Sequence, residues 1–232
     1  MVSRRFALRT AWQAAFILAF PPLRGMALAL TPYPATAEIM RRSRESEVAA
    51  NRQYAAFARQ AKVDGYAGIA DLFTALAAAE QIHAQNFESI LARLGAEITP
   101  VAAREIQSGT TQQHLLKAAG YELDSVYTFY PDILRKLKPE GLQDALKITN
   151  YAWETEKQHL KILKSIQRWT PKHFEAVARK IENETGRYFV CQICGATTVK
   201  MPRAKCPVCG LPASNLHKVE QPVLTPPGAQ GR

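Results

Sequence analysis

Glu80-Gln81-Ile82-His83 and Glu156-Lys157-Gln158-His159 are two copies of one pattern, Glu-x-x-His. Residues three apart on a helix share a face, so each copy points its carboxylate and its imidazole the same way. One such pair alone is usually a solvated helix face. Here each is preceded by a further glutamate at matching separation. Glu47 stands 33 residues before Glu80, and Glu122 stands 34 before Glu156. Two helical hairpins therefore carry the same pattern.

The flanking sequence supplies the helices. Helical segments run over about 37–62, 66–94 and 110–137, and a fourth runs from the turn at Lys138-Pro139-Glu140-Gly141 to about residue 169. Thr36 reads as the first N-cap. Asp64-Gly65 breaks the first hairpin, a long connection over about 95–108 contains Pro100, and Pro171 marks the end of the fourth helix. Pro131 falls inside the third helix, removes one backbone donor and predicts a kink there. Two short connections with a longer one between them fit a bundle with one crossover.

Folded this way, the bundle turns Glu47, Glu80, Glu122 and Glu156 inward together with His83 and His159. This is the ligand pattern known for ferritin-like di-iron and di-manganese bundles. Two divalent ions side by side repel, and bridging carboxylates offset that charge. Four carboxylates against two such ions bring a buried site near neutrality. Imidazole suits iron, and carboxylates suit its oxidised form. His114, His173 and His217 lie outside the pattern and read as surface or loop residues.

The four cysteines share one short stretch. Cys191-Gln192-Ile193-Cys194-Gly195 and Cys206-Pro207-Val208-Cys209-Gly210 are paired Cys-x-x-Cys knuckles with eleven residues between Cys194 and Cys206. That spacing points to one tetrahedral metal. The trailing glycines let the backbone curl round each sulfur pair. Two disulfides are the alternative if the chain is exported. Four thiolates accept iron or zinc; zinc would be structural, iron a one-electron carrier. The neighbouring di-iron pattern favours iron.

The first 29 residues stand apart from the fold. Ser3-Arg4-Arg5, the apolar run from Ala11 to Phe20 and Ala27-Leu28-Ala29 follow the order of an export signal. The run is shorter than the roughly 20 residues a bilayer-spanning helix needs. The paired arginines suggest the twin-arginine route and a periplasmic location, although Phe6 follows Arg5 directly. Ala35-Thr36-Ala37 is a second possible cleavage site. The alternative is a cytoplasmic chain with an uncleaved or mis-assigned start. The formal charge of +10 falls to +6 without Arg4, Arg5, Arg9 and Arg24. The remaining basic residues, such as Arg41, Arg42, Arg44, Lys161 and Lys164, are scattered along helices, which argues against a nucleic-acid partner. A chain of 232 residues, 47% hydrophobic, suits one bundle with a small appendage.

Longer motifs resemble those of the rubrerythrin family. The first helix reads Glu47-Val48-Ala49-Ala50-Asn51-Arg52-Gln53-Tyr54, then Phe57, Gln60-Ala61-Lys62 and Gly65-Tyr66. Gly120-x-Glu122, Tyr130-Pro131 and the cysteine knuckles continue the likeness, which covers about 36–219. The resemblance implies an all-α ferritin-like four-helix bundle over 36–170 and a rubredoxin-like four-cysteine metal domain over 186–220, with an export signal over 1–29 and a tail over 221–232. It implies two irons on Glu47, Glu80, His83, Glu122, Glu156 and His159, and one iron, or zinc, on Cys191, Cys194, Cys206 and Cys209. Tyr54 and Tyr130 would donate hydrogen bonds to ligand carboxylates. Helical geometry agrees for Tyr54, two turns from Glu47.

The implied activity is a di-iron peroxidase that reduces hydrogen peroxide, or uses oxygen, with an electron-donor protein the sequence does not name. The family pairs head to tail, which implies a homodimer with one subunit's knuckle near the other's di-iron site. One position departs from the family. Ser125 stands where a further glutamate is usual, a residue that exchanges with the histidine matching His83 as one iron changes redox state. Asp124 is no substitute, being about 200° round the helix from Glu122. Two other readings stay open: a ferroxidase or iron-handling protein, and a non-catalytic bundle with a structural zinc knuckle.

Overall fold

The computed structural model describes residues 31–103, 105–106, 108–167, 174–182 and 188–219. The export signal, both its paired arginines and Ala27-Leu28-Ala29, therefore lies outside the described residues, as do His173, Pro171 and the tail over 221–232. Among the described residues no helix is long and apolar enough to cross a membrane.

Four helical segments form the bundle. α1 spans Pro34–Val63 and α2 spans Ala67–Arg93. The third segment is composite: α3 (Thr111–Asp124), a π-helical turn (Ser125–Phe129) and α4 (Tyr130–Leu137). α5 spans Gln143–Gln167. α1 begins earlier than its Thr36 signal. Pro34 enters at the first helical positions and Tyr33 is the N-cap. Thr36 is instead buried in the first turn. The orphan N–H groups of Ala35 and Thr36 donate to the carboxylate of Glu140, at 2.9 and 2.7 Å. A residue from the distant turn before α5 thus does the work of a local cap. Thr110 caps α3 with a full capping box with Gln113.

The kink expected at Pro131 takes the form of a π turn. Tyr130 N–H donates to Ser125 O, five residues back, just before the proline that has no N–H. That leaves Val126 O without the usual partner in the helix, and the Trp153 indole N–H from α5 donates to it at 2.9 Å.

Two apolar clusters sandwich a polar layer. One packs Tyr54, Phe57, Leu72, Phe73 and Leu76; the other packs Met40, Phe87, Ile90, Leu91, Tyr130 and Ile133. Along α1 and α2 the candidate ligands Glu47, Glu80 and His83 fall between them. The apolar layers fix the helices on both sides of the charges. Asn51 Nδ2 donates to Ala77 O at 2.7 Å, tying α1 to α2 beside that layer.

Past α5 lies a short helix for which the sequence reading assigned no element, α6 (Phe174–Glu182). Ala178 and Ile181 are buried in the first apolar cluster, and the Phe174 ring packs on Tyr66 at 5.2 Å. The four-cysteine unit is a small antiparallel sheet of β1 (Phe189–Cys191), β2 (Thr197–Thr198) and β3 (Leu216–Lys218), in the order β2-β1-β3.

Candidate metal centres

Each helical segment delivers its candidate ligand where the repeat places it. Glu47 comes from α1, Glu80 and His83 from α2, Glu122 from α3, and Glu156 and His159 from α5. All six are at least 95% buried. They form two overlapping sets whose ligand atoms lie within 4.8 Å of one another: Glu47, Glu80, His83 and Glu156, and Glu80, Glu122, Glu156 and His159. Glu80 and Glu156, the first residues of the two Glu-x-x-His copies, belong to both sets and take the bridging place. Glu47 with His83 and Glu122 with His159 take the two ends.

Both imidazoles present Nδ1 to the carboxylates. His83 Nδ1 lies 2.9 Å from Glu80, 3.2 Å from Glu156 and 3.9 Å from Glu47. His159 Nδ1 lies 3.3 Å from Glu156, 3.4 Å from Glu80 and 3.7 Å from Glu122. Tyr54 Oη donates to Glu122 Oε1 and Tyr130 Oη to Glu47 Oε1, each at 2.5 Å. Burial, then the neighbouring carboxylates, push both phenols well above their ordinary range, so they keep their protons and donate.

The same crowding perturbs the ligands. Burial raises Glu47 to about 7, with the Glu80 and Glu156 charges adding to it and His83 opposing. Burial also raises Glu122, helped by the Glu156 charge. Glu156 goes the other way: against its own burial, hydrogen bonds from Glu122, His159 and His83 hold it well below the usual carboxylate range. Burial would lower His159, but hydrogen bonds to Glu156 and Glu80 overcome it and carry the group to about 9. Glu47, Glu122 and His159 thus favour protonated forms, and a pair of cations would replace those protons. Glu80 Oε1 is fully buried and makes no well-formed hydrogen bond, with His159 Nδ1 3.4 Å away. Such an acceptor is costly unless a cation meets it, and the donor set fits two divalent ions.

A cavity of about 340 Å³ opens onto this cluster. Glu47, Tyr54, Glu80, Glu122 and Glu156 form its floor, and Gln53, Ser125, Phe129 and Ile106 line it toward solvent. Ser125 opens the π turn and lines the cavity together with Glu122. Asp124 also borders the cavity, but it is exposed, as its helical position requires.

The knuckle cysteines are free thiols, not disulfides. Cys191 and Cys209 Sγ are 3.8 Å apart, and Cys194 and Cys206 Sγ are 3.5 Å apart. A tetrahedron with metal–sulfur bonds of ~2.3 Å has edges of about 3.8 Å. Hydrogen bonds from the Cys194 thiol and from the backbone N–H groups of Ile193 and Cys194 lower Cys191 to about 5, while burial lifts Cys209 to about 11. Gly195 and Gly210 sit at φ +79° and +72°, the left-handed conformation that the trailing glycines serve.

The rubrerythrin family model matches residues 38–167, more than half of the chain. The chain belongs to the rubrerythrin family. Among the relatives, Rubrerythrin-2 of Clostridium acetobutylicum is 27% identical over 176 residues, 76% of this chain and 92% of that one. Nigerythrin of Nitratidesulfovibrio vulgaris is 29% identical over 184 residues, 78% of this chain and 85% of that one. The structure of fully reduced, all-ferrous nigerythrin superposes with a TM-score of 0.65 at 26% identity, covering 91% of this chain and all of that chain. The partially reduced state gives 0.65 at 25% identity over the same shares. Members of the family are di-iron oxidoreductases with a further iron on four cysteines, and this chain presents both donor sets.

One expectation needs correction. His114 is not a surface residue: it is buried, and its ring stacks on Phe57 with centroids 3.9 Å apart, because it lies on the inner face of α3. His217 on β3 is exposed, as expected. The four-cysteine knuckle packs on the bundle of its own chain. Asn86 Nδ2 donates to Ile193 O at 2.9 Å, Thr155 Oγ1 to Cys194 O at 3.1 Å, and Thr197 N to Gln158 Oε1 at 3.1 Å. A side chain at Gly195 would place Cβ 2.5 Å from His83 Nε2, so only glycine fits the contact. Sequence reading missed Thr155, Gln158 and Thr197; none is a ligand type at a ligand position, although Gln158 sits inside the second Glu-x-x-His copy, and only the docking reveals them.

Proposed function

We propose that this chain is a di-iron peroxidase that reduces hydrogen peroxide with electrons received through its four-cysteine site. The observation that carries the reading is the coincidence of three features at one point. The buried six-ligand cluster has a cavity on one side and the knuckle packed against both histidines on the other. Glu47, Glu80, His83, Glu122, Glu156 and His159 would hold two irons, which would supply the two electrons that, with two protons, turn hydrogen peroxide into two water molecules. Cys191, Cys194, Cys206 and Cys209 would hold the one-electron carrier.

The chain's own residues set the geometry. Tyr54 and Tyr130 hold Glu122 and Glu47 in fixed orientations through their hydroxyl protons. The two apolar layers exclude bulk water from all but the cavity side. Gln53 and Ser125 offer polar atoms to a small oxidant approaching Glu47 and Glu122.

A ferroxidase reading is favoured by Ser125 in place of the exchanging glutamate and by the exposed acids Glu105 and Asp124, which border the cavity and would draw in ferrous ions. Iron-loaded protein should consume hydrogen peroxide catalytically when a reductant is supplied, with its iron content constant. Net iron uptake without peroxide turnover would favour the ferroxidase. Zinc alone in protein from its native host would favour the non-catalytic bundle.

We also propose export, on the strength of the basic start, the short apolar run and Ala27-Leu28-Ala29. Cleavage after Ala29 keeps α1 whole, whereas cleavage after Ala37 would remove its Glu140-capped first turn. Intact-mass measurement on native protein distinguishes the two, and a full-length chain would refute export. Homodimer formation belongs to the same proposal. It is supported by Leu116, Leu123 and Tyr127, exposed together along the third segment, and sedimentation tests it.

A further inference from the structure

The knuckle loop reaches past its cysteines to the outer nitrogens of both bundle histidines. Gly195 lies against His83 Nε2. Thr197 Oγ1 lies 3.0 Å from His159 Nε2 and 3.2 Å from Gly195 O. Thr197 is 3% exposed and His159 fully buried, so no bulk water competes for these contacts.

The direction of the hydrogen bonds follows from what each atom can do. A carbonyl oxygen only accepts, so the single hydroxyl proton of Thr197 goes to Gly195 O. The hydroxyl oxygen is then left as an acceptor toward His159, and Nε2 must carry the proton. A neutral imidazole has one N–H, so Nδ1 keeps its lone pair. Nδ1 is the nitrogen that faces Glu80, Glu122 and Glu156.

We propose that Thr197 is a positioning residue for the bundle metal: it fixes the Nε2–H tautomer and the ring orientation of His159, so that Nδ1 is presented as a ligand. The partner of a metal-bound histidine is usually a carboxylate, a backbone carbonyl or water on the same site. Here it is a hydroxyl supplied by the other metal domain. Thr197 lies three residues after Cys194, and its own N–H is anchored on Gln158, the neighbour of His159. The order of the knuckle loop therefore sets the order of a bundle ligand. The knuckle acts as a structural support of the bundle site, apart from any electron it carries.

The inference rests on the bundle binding divalent metal, not on peroxide being the substrate. Full-length protein with one zinc on its cysteines is titrated with cobalt(II), and bundle affinity is read by calorimetry. Thr197→Val should weaken cobalt binding about 10- to 100-fold, the usual cost of removing such a partner. Thr197→Ser, which restores the hydroxyl, should stay close to wild type. In fully zinc-loaded wild type, nitrogen-15 NMR should show a slowly exchanging proton on His159 Nε2. That signal should persist in the serine variant and vanish in the valine variant.

Equal affinities for Thr197→Val and wild type would overturn the proposal. So would a wild-type His159 without a proton on Nε2, a result that stands even if the valine variant loses its knuckle zinc. A wild type that takes no cobalt beyond the knuckle would overturn the bundle metal centre itself, a distinct outcome.

Discussion

The bundle site and the four-cysteine knuckle bind metal by opposite strategies. The knuckle gathers four ligands from positions 191–209, and two left-handed glycines make the turns. Its geometry is local. The bundle gathers six ligands from positions 47–159 on four helical segments, and places four carboxylates in a buried layer. Its geometry exists only when the helices pack. The knuckle should therefore tolerate damage to the bundle, while the bundle should respond to its ligands, its protons and its neighbours.

The largest expected effect separates the two regions outright. Iron-reconstituted protein should hold about three metals per chain, two in the bundle and one on the cysteines. Alanine at both Glu80 and Glu156 removes the two bridging carboxylates, and metal analysis should then find about one per chain. Full bundle occupancy in that variant would break the assignment.

Protons should distinguish the bundle next. In the metal-free protein His159 titrates at about 9 and Glu47 at about 7. Both must be unprotonated to bind metal. Affinity should therefore fall as pH drops through this range, by up to about tenfold per pH unit for each group that gains a proton. Loading at pH 7 should release protons. Calorimetry in two buffers of different ionisation enthalpy measures that release, and a pH-independent affinity would contradict the assigned shifts.

Ser125 tests the charge balance more finely. It borders the cavity beside Glu122, and a short neutral hydroxyl cannot act there as a carboxylate ligand. With only four carboxylates the ferric pair is less well neutralised, so its potential should be raised, with slower oxidation by peroxide. His83, hemmed in by Gly195, should stay a ligand in both oxidation states. Ser125→Glu should lower the bundle potential by about 60 mV, a tenfold change for a one-electron couple, and leave the knuckle potential unmoved. It should also speed peroxide turnover. Structures of both oxidation states with iron displaced from His83 despite Ser125 would refute this.

The smallest effect concerns the tyrosines. Tyr54→Phe or Tyr130→Phe deletes one hydroxyl and leaves Glu122 or Glu47 without its donor. Each should cost the metal-free protein about 1–3 kcal/mol in denaturant unfolding. No loss would mean the hydroxyls do not hold these carboxylates.

Much of this contrast was legible in the sequence because it depends on spacing. Glu-x-x-His needs only the helical repeat, and Cys-x-x-Cys-Gly only a tight turn, so both ligand sets could be named before any packing was known. Tyr54 and Tyr130 both came through family resemblance, with helical geometry agreeing for Tyr54, two turns after Glu47. What escaped depends on contacts between distant segments. Glu140 caps α1 from more than 100 residues away. His114 looked like any exposed helical histidine until Phe57 stacked on it. Pro131 announced a distortion, but the π turn also required the Trp153 indole to satisfy Val126 O. The seating of the knuckle on its own bundle, and with it Thr197, has no local signal at all.

Mössbauer spectroscopy of the iron-loaded, full-length protein tests the central claim most directly, since it separates oxygen- and nitrogen-ligated iron from iron in four sulfurs. Two signals in a ratio of about two to one, bundle to knuckle, are expected from the ligand sets. A spectrum holding only the four-sulfur signal, or none from the carboxylate cluster, would contradict the account.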